Sequence, residues 1–216
     1  MKKPSEKILS EYAQNLSHEL LTPLAVIRSR AELIMQSPNL NEADLKNLDA
    51  ILKTVDRMSR LNKALILLSK IDNRIYRDTS DLDVNEVVTD SLEKFEDQIR
   101  IKSLRIRFQK SENKLLKTNP TLFEILVTNI IKNAVFHNLQ DGQINIYSGA
   151  DRFEVENDTD DQVGDEIFDR FMTKGKDENS LGLGLHIVKK ICALFKYNIS
   201  YTMTDQKFKI SIFFSN

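Results

Sequence analysis

The strongest constraint in this sequence is a glycine-free stretch, residues 5–71, in which apolar residues recur at helical spacing. Apolar side chains step by three or four residues along residues 9–34 and again along residues 45–68, as on one face of an amphipathic helix. The break between the two runs contains Pro38, and Asn41 can cap the second helix. The stretch is therefore predicted to form an antiparallel helical hairpin.

Two amphipathic helices cannot bury both of their apolar stripes against each other alone. Two copies of the hairpin can do so by forming a four-helix bundle. We therefore expect a homodimer through residues 5–71. The alternative that the pattern leaves open is packing of the hairpin against the rest of its own chain.

Beyond the hairpin the pattern changes to alternating helices and strands. The polar residues 73–82 suit a linker between a domain at residues 1–72 and a second domain at residues 83–216. Helices grouped around mostly antiparallel strands predict an α+β fold with two domains. The predicted helices are 83–101, opened by a capping box of Asp83 and Glu86, then 120–137 with Asn119 as N-cap, and 185–195; the predicted strands are 104–109, 114–117, 143–148, 152–156, 199–203 and 208–214.

Composition excludes several classes of protein. The 31 Lys and Arg residues balance 32 Asp and Glu residues, so no charged surface for nucleic acid or an anionic membrane is expected. Cys192 is the only cysteine, which excludes an internal disulfide and indicates a reducing compartment. No apolar run approaches the ~20 residues of a membrane helix, and residues 1–15 are too polar for a signal peptide, so a cytoplasmic location is expected.

His18 lies on the polar face of the first predicted helix, almost opposite its apolar stripe. A neutral imidazole is a good nucleophile near neutral pH, and Glu19 can orient the ring or accept its proton. Thr22 follows one turn later on the same face. Pro23 then interrupts the backbone bonding but not the apolar stripe, which predicts one kinked helix rather than a separate helix capped by Thr22.

A second polar group lies in the helix that begins after Asn119. Asn129 and Asn133 are one turn apart on one face, among residues that otherwise suit a core. Amide oxygens are hard ligands that suit Mg²⁺ and its bound waters. Two solvent-facing or mutually bonded asparagines are the structural alternative. Further on, Gly182 and Gly184 precede a helix, where glycines allow a phosphate to approach backbone N–H groups, although a simple tight turn has the same pattern.

These segments resemble the conserved boxes of the sensor histidine kinases, in that family's order. The resemblance covers residues 5–216. The string Ser17-His18-Glu19-Leu20-Leu21-Thr22-Pro23-Leu24 resembles the H-box, residues 128–138 the N-box, Ile167-Phe168-Asp169-Arg170-Phe171 the F-box, and residues 180–185 the second glycine box. Residues 155–159 take the place of the first glycine box by strand position, and residues 172–179 that of a lid over the phosphates.

The resemblance implies a dimeric phosphoacceptor hairpin followed by an α/β sandwich ATP-binding domain of the Bergerat type, as in gyrase, heat-shock chaperone and mismatch-repair ATPases. His18 would attack the γ-phosphate of ATP, Glu19 would orient or deprotonate the imidazole, and Thr22 would position water for the reverse phosphatase reaction. An aspartate of a response regulator would receive the phosphoryl group. Attachment to a membrane is expected only through segments missing from this chain.

The implied cofactors are ATP and Mg²⁺. Asn133, together with Asn129, would hold the metal. Asn157 stands where the family has the aspartate that contacts adenine, and Asp158 is the alternative if the register slips by one. Phe136 stands where the family often has a basic residue, which leaves Lys132 and the lid lysines as alternatives. The other implied nucleotide contacts are His137, Phe168, Arg170, Phe171, Lys174, Ser180, Gly182, Leu183, Gly184 and Leu185.

The sequence is also compatible with two other functions. One is a scaffold that dimerises and docks a regulator without binding nucleotide. The other is an ATPase of the chaperone or mismatch-repair type, in which the hairpin is only a dimerisation arm and His18 has no role.

Overall fold

The computed structural model describes residues 4–76, 78–111, 115–149, 151–160, 165–169 and 181–214. Within these ranges side chains are described from Leu20 onward, except at residues 165 and 166. The chain divides into two compact units, and the polypeptide passes from the first to the second between Ile75 and Tyr76. Among the described residues, no helix is both long and apolar enough to cross a lipid bilayer.

The first unit contains two long helices that pack together, α1 (Pro4–Met35) and α2 (Glu42–Asp72). This confirms the predicted hairpin. α1 runs through Pro23 without ending, so the prediction of one helix is also confirmed. Asn41 caps α2 as expected: its Oδ1 accepts from the backbone N–H of Asp44 at 2.9 Å, and the Asp44 carboxylate accepts from the Asn41 N–H at 3.2 Å.

Only part of the apolar surface of this unit is covered within the single chain. The buried side chains include Leu24 and Ala31 in α1, and Leu48 and Val55 in α2. Each pair is seven residues apart, which is the spacing of a helix–helix seam. A second set at the same spacing is exposed, and its members are Leu20, Ile27 and Ile34 in α1 with Ile51, Met58 and Leu65 in α2.

The second unit contains a five-stranded mixed sheet and a two-stranded ribbon. Strand β1 (Ser80–Leu82) pairs antiparallel with β3 (Leu116–Thr118). The strands of the large sheet are β2 (Arg105–Lys110), β4 (Gln143–Ser148), β5 (Arg152–Asp158), β6 (Asn198–Thr204) and β7 (Lys207–Phe213). Their order in the sheet is β2-β4-β5-β7-β6; β2 and β4 are parallel, and the other neighbours are antiparallel.

In the described part of this unit four α-helices accompany the strands, and the α+β class is confirmed. They are α3 (Val84–Glu93), α4 (Glu96–Ile101), α5 (Pro120–Phe136) and α6 (Gly184–Phe195), with a short 3₁₀ helix at Asp165–Phe168. Helix α5 packs against β5, α6 against β6, and α3 against β4. Along β4 and β5 the residues alternate between buried and half-buried, so one face of the sheet carries the core under the helices.

Three local predictions need correction. Residues 83–101 form two helices, because Phe95 leaves helical geometry (φ −116°, ψ 15°) and its ring packs edge-on against Phe136, with centroids 6.3 Å apart. Asp83 caps α3 by accepting from the backbone N–H of Asn85 at 2.8 Å, in place of a capping box with Glu86. In addition, the last three residues of the expected linker form β1, because the pairing with β3 satisfies their backbone groups.

Candidate functional site

Helix α5 combines a buried apolar side with a strip that contains two asparagines. Leu122, Phe123 and Leu126 have no exposed surface, whereas Asn129 and Asn133 are half-buried one turn apart. The start of the helix is fixed by Asn119, whose Oδ1 accepts from the Leu122 N–H at 3.0 Å and whose Nδ2 donates to the Asp78 carbonyl at 2.7 Å. The two asparagines are thus carried on a helix that packing and capping both hold in place.

Asn129 is oriented by its own helix. Its Nδ2 donates to the Ile125 carbonyl at 2.8 Å, which directs its Oδ1 toward the beginning of α6. A Cβ added at Gly184 would lie 3.0 Å from this oxygen, closer than a side chain normally allows. Gly184 therefore permits α6 to approach the asparagine of α5, and the two predicted boxes meet in space.

The turn before α6 also requires glycine. Gly182 has a φ of 63°, in the left-handed region that L side chains rarely adopt. Leu183 is buried and Leu185 is half-buried. A backbone turn therefore precedes α6 next to Asn129. The backbone N–H groups at the start of a helix can bind anionic groups.

The 3₁₀ helix of the predicted F-box is attached to α6. Phe168 is buried, and its ring packs edge-on against Tyr201 with centroids 5.7 Å apart. A ring nitrogen of His186, in the first turn of α6, lies 3.0 Å from the Phe168 carbonyl and hydrogen-bonds to it. The side chain of Phe168 thus packs in the interior of the unit.

The two alternatives for the adenine contact lie on opposite faces of β5. Asn157 is 3% exposed on the helix-covered face, and its Nδ2 donates to the Asp158 carbonyl at 3.0 Å. Asp158 lies on the other face, where its Oδ2 accepts from the Gln143 N–H at 2.8 Å and its Oδ1 lies 4.0 Å from Lys207 Nζ. Of the two, only Asn157 shares a face of the sheet with the helices.

The other end of α5 contains Phe136 and His137. His137 is half-buried, and its N–H donates to the Asn133 carbonyl at 3.0 Å. Phe136 is partly exposed, and Lys132 Nζ lies 5.7 Å from the centre of its ring. Sequence reasoning missed Lys102, whose Nζ donates to three carbonyls at this end of α5. No local pattern reveals it, because it lies more than thirty residues away along the chain.

Several predicted residues lie outside the described part of the structure. α1 includes the backbone of His18 and Glu19, but their side chains are not described. Thr22 is described and is exposed on α1. Four further candidates lie in a range that is not described at all, namely Arg170, Phe171, Lys174 and Ser180.

Cys192 is unsuited to be a nucleophile. It is 1% exposed on α6, and burial raises the pKa of its thiol to about 12.

Comparison with known families assigns both parts of the chain. Residues 8–74 match the His Kinase A (phospho-acceptor) domain. Residues 118–215 match the histidine kinase-, DNA gyrase B- and HSP90-like ATPase. A helical hairpin of the first type followed by an α/β unit of the second type defines a class of two-domain kinase cores.

Nearly the whole of this chain also matches one curated relative by sequence and two solved structures by fold. The chain is 28% identical over 212 residues to the heme sensor protein HssS of Staphylococcus haemolyticus, covering 94% of this chain and 46% of that protein. Its fold is similar to that of the histidine kinase AdeS of Acinetobacter baumannii, with a TM-score of 0.66, 23% identity and coverage of 92% and 97%. It is also similar to full-length ShkA in complex with AMPPNP, with a TM-score of 0.74, 18% identity and coverage of 95% and 46%.

The two family matches in tandem, together with the sequence match to HssS, show that the chain belongs to the sensor histidine kinases. It spans about half the length of the curated relatives it matches.

Proposed function

We propose that this chain is the catalytic core of an autophosphorylating protein histidine kinase that uses ATP to phosphorylate His18. Residues 1–72 would serve as the dimerisation and phosphotransfer hairpin, residues 73–82 as the connection, and residues 83–216 as the ATP-binding domain. The phosphoryl group would pass from His18 to an aspartate of a response regulator that docks over the face containing Thr22 and Ser29.

The observation that carries this proposal is the contact between Asn129 and Gly184. It brings the asparagine strip of α5 against the glycine turn of α6. Metal ligands and phosphate-binding N–H groups would then lie side by side, as binding of a Mg²⁺-nucleotide requires. ATP as substrate is further supported by the family of residues 118–215 and by the AMPPNP bound to ShkA.

The residues present suit Mg²⁺. Asn129 donates its amide N–H to the Ile125 carbonyl, so its hard oxygen is the end that faces the beginning of α6, and Asn133 lies one turn further along the same strip. When bound, the metal would neutralise phosphate charge as the terminal phosphoryl group is transferred. We assign the adenine contact to Asn157 rather than Asp158, because Asp158 lies on the opposite face of β5 and already accepts from Gln143.

The transfer step is an in-line displacement. A ring nitrogen of His18 would form a bond to the γ-phosphorus of ATP, while the bond from that phosphorus to the β,γ-bridging oxygen breaks and ADP leaves. The proton on the other ring nitrogen would pass to Glu19, so that the phosphohistidine is left neutral at the ring. His137, the glycine turn with Ser180, the F-box residues Arg170 and Phe171, and Lys174 of the predicted lid would position the triphosphate.

Dimerisation through residues 5–71 is the association that we propose for the hairpin. Its support is the exposed apolar set at seven-residue spacing, which a second copy would cover. We also propose that this core works in the cytoplasm, and that any membrane attachment is made through other segments. Nucleic acid is not a proposed partner, because the charges balance.

Labelling with γ-³²P-ATP and Mg²⁺ tests the proposal. The wild-type chain should acquire label that is stable to alkali and labile to acid, and His18→Gln should acquire none while still binding nucleotide. Asn133→Ala should lose both label and Mg²⁺-nucleotide binding. Asn145→Ala is the matched control, because Asn145 bonds to Glu156 among the half-buried residues of the other face of the sheet.

Other outcomes would favour the alternatives. Absence of both label and nucleotide binding in the wild type would favour the scaffold. Steady ATP hydrolysis that His18→Gln does not reduce would favour an ATPase in which the histidine has no role.

A further inference from the structure

Lys102 binds the C-terminal end of α5 from a distant part of the chain. It lies at the end of α4, and its Nζ donates to the carbonyls of Val135 at 3.2 Å, Phe136 at 2.7 Å and Asn138 at 3.2 Å. The ammonium group is thus directed at backbone oxygens of a single helix end, which its N–H groups can each bind.

The backbone around Lys102 is joined to the same loop. The Lys102 carbonyl accepts from the Asp141 N–H at 2.9 Å, and the Arg105 N–H donates to the Gly142 carbonyl at 2.9 Å. Lys102 is therefore held by its main chain on the segment that follows α5, while its side chain reaches the last turn. The side chain therefore starts from a fixed backbone position, which limits the movement of its ammonium group.

The carbonyls that Lys102 binds would otherwise lack helical partners. The last carbonyls of an α-helix have no N–H of their own helix to accept from, and they carry the negative end of the helix dipole. A cation at this position therefore stabilises the last turn of α5 specifically. The last turn contains His137, whose N–H bonds to the Asn133 carbonyl, so Lys102 acts on the residues at this end of the polar strip.

We propose that Lys102 is a positioning residue for Mg²⁺-ATP: by binding the end of α5 it sets the placement of Asn133 and His137. The inference rests on the proposed function of α5 as a nucleotide-binding helix. The remainder of α5 is fixed by Asn119 and by its buried side chains. Loss of the Lys102 contact should therefore loosen the last turn while the rest of the helix stays in place.

The test compares Mg²⁺-ATP with adenosine by isothermal titration calorimetry on the full chain. In Lys102→Met the dissociation constant for Mg²⁺-ATP should rise about five- to tenfold, the size of one favourable charge–helix-end interaction. Adenosine binding should not change, because the adenine contact lies on β5. Lys102→Arg should restore most of the affinity. Lys94→Met is the matched control, because Lys94 also reaches α5 but pairs with the exposed Glu124 side chain.

Each outcome decides between the possibilities. Failure of the wild type to bind Mg²⁺-ATP would contradict the proposed function itself. Normal Mg²⁺-ATP affinity in Lys102→Met, or equal losses for Mg²⁺-ATP and adenosine, would overturn the positioning role and leave the proposed function intact. Hydrogen exchange provides the second measurement: faster exchange confined to the end of α5 supports the role, whereas faster exchange throughout the unit, or failure to fold, overturns it.

Discussion

The two units of this chain differ in how completely they cover their own apolar surface. In the second unit, α5 contributes Leu122, Phe123 and Leu126 with no exposed surface. In the hairpin, Ile27 remains 46% exposed and Met58 50% exposed, although both lie in the middle part of long helices. The hairpin thus has an apolar seam left over, and the second unit has a closed core.

This difference separates two sources of stability. The second unit places helices on one face of a sheet, and the side chains described between these layers are buried within one chain. The two helices of the hairpin bury one set of apolar side chains against each other and leave a second set exposed. Covering that exposed set with a second copy would stabilise the hairpin. Association is therefore expected to depend on the hairpin, and nucleotide chemistry on the second unit.

The largest expected effect concerns the closed core of the second unit. Burial raises the pKa of the Cys192 thiol from its ordinary 9.0 to about 12. At pH 8 its reaction with a disulfide reagent should be about a thousandfold slower in the folded chain than in denaturant, since only the thiolate reacts. The same shift means that its contribution to stability is complete below pH 9.0 and is lost as the pH rises toward 12, because the unfolded thiol ionises first. Rapid reaction of the native protein would show that the core is open.

The next effect concerns the seam of the hairpin. Ile51→Lys places a charge on a surface that the dimer would bury, and a buried unpaired charge costs several kcal/mol. The dimer dissociation constant should rise at least about a hundredfold, as measured by sedimentation velocity across a concentration series. Ser29→Lys, which puts the same charge on the opposite side of α1, should leave association unchanged. An unchanged dimer in Ile51→Lys would mean that another surface joins the copies.

A smaller effect is expected at Gly142, which precedes β4. A Cβ there would overlap Asn138 Oδ1 and lie 3.0 Å from the Leu139 carbonyl. Gly142→Ala should therefore lower the free energy of unfolding of the second unit by about 1–3 kcal/mol, the usual cost of overpacking. Combining it with Asn138→Ala should recover part of the loss in thermal denaturation. Equal stability of wild type and Gly142→Ala would contradict this packing.

The smallest effect is expected at the ion pair that joins the two hairpin helices. Arg28 Nη1 lies 2.7 Å from Asp56 Oδ1, and both side chains are substantially exposed. Solvent and salt screen such pairs, so Asp56→Asn should shift the melting temperature by no more than the scatter of the measurement. A clear loss of stability would show that charge pairing, rather than apolar packing, holds the hairpin together.

The elements that sequence predicted well are those specified by local patterns. The hairpin helices follow from apolar spacing, and α5 from a cap at Asn119 followed by Pro120. The break at Phe95 and the strand β1 were missed, because an aromatic contact with Phe136 and pairing with β3 decide them over long distances in the chain. The choice of neighbouring strands in the sheet, such as the parallel pair β2 and β4, is likewise decided by contacts between distant parts of the chain.

The residues of the candidate site also fall into those predicted from local motifs and those decided by distant contacts. The motifs identified Asn129, Asn133 and Gly184, and the structure brings Asn129 and Gly184 together. The choice between Asn157 and Asp158 required the pleat of β5, since a shift of one residue exchanges the two faces. Lys102 was not predictable, because its partners are backbone carbonyls that any residue types would provide.

The proposed function requires that the second unit transfer a phosphoryl group from ATP to the hairpin. Mass spectrometry at neutral to alkaline pH, after incubation with Mg²⁺-ATP, would detect this transfer. We expect the added mass of one phosphoryl group on the peptide that contains His18, and no such addition in His18→Gln. A phosphoryl group on a different residue, or none at all in a wild-type chain that demonstrably binds Mg²⁺-ATP, would contradict it.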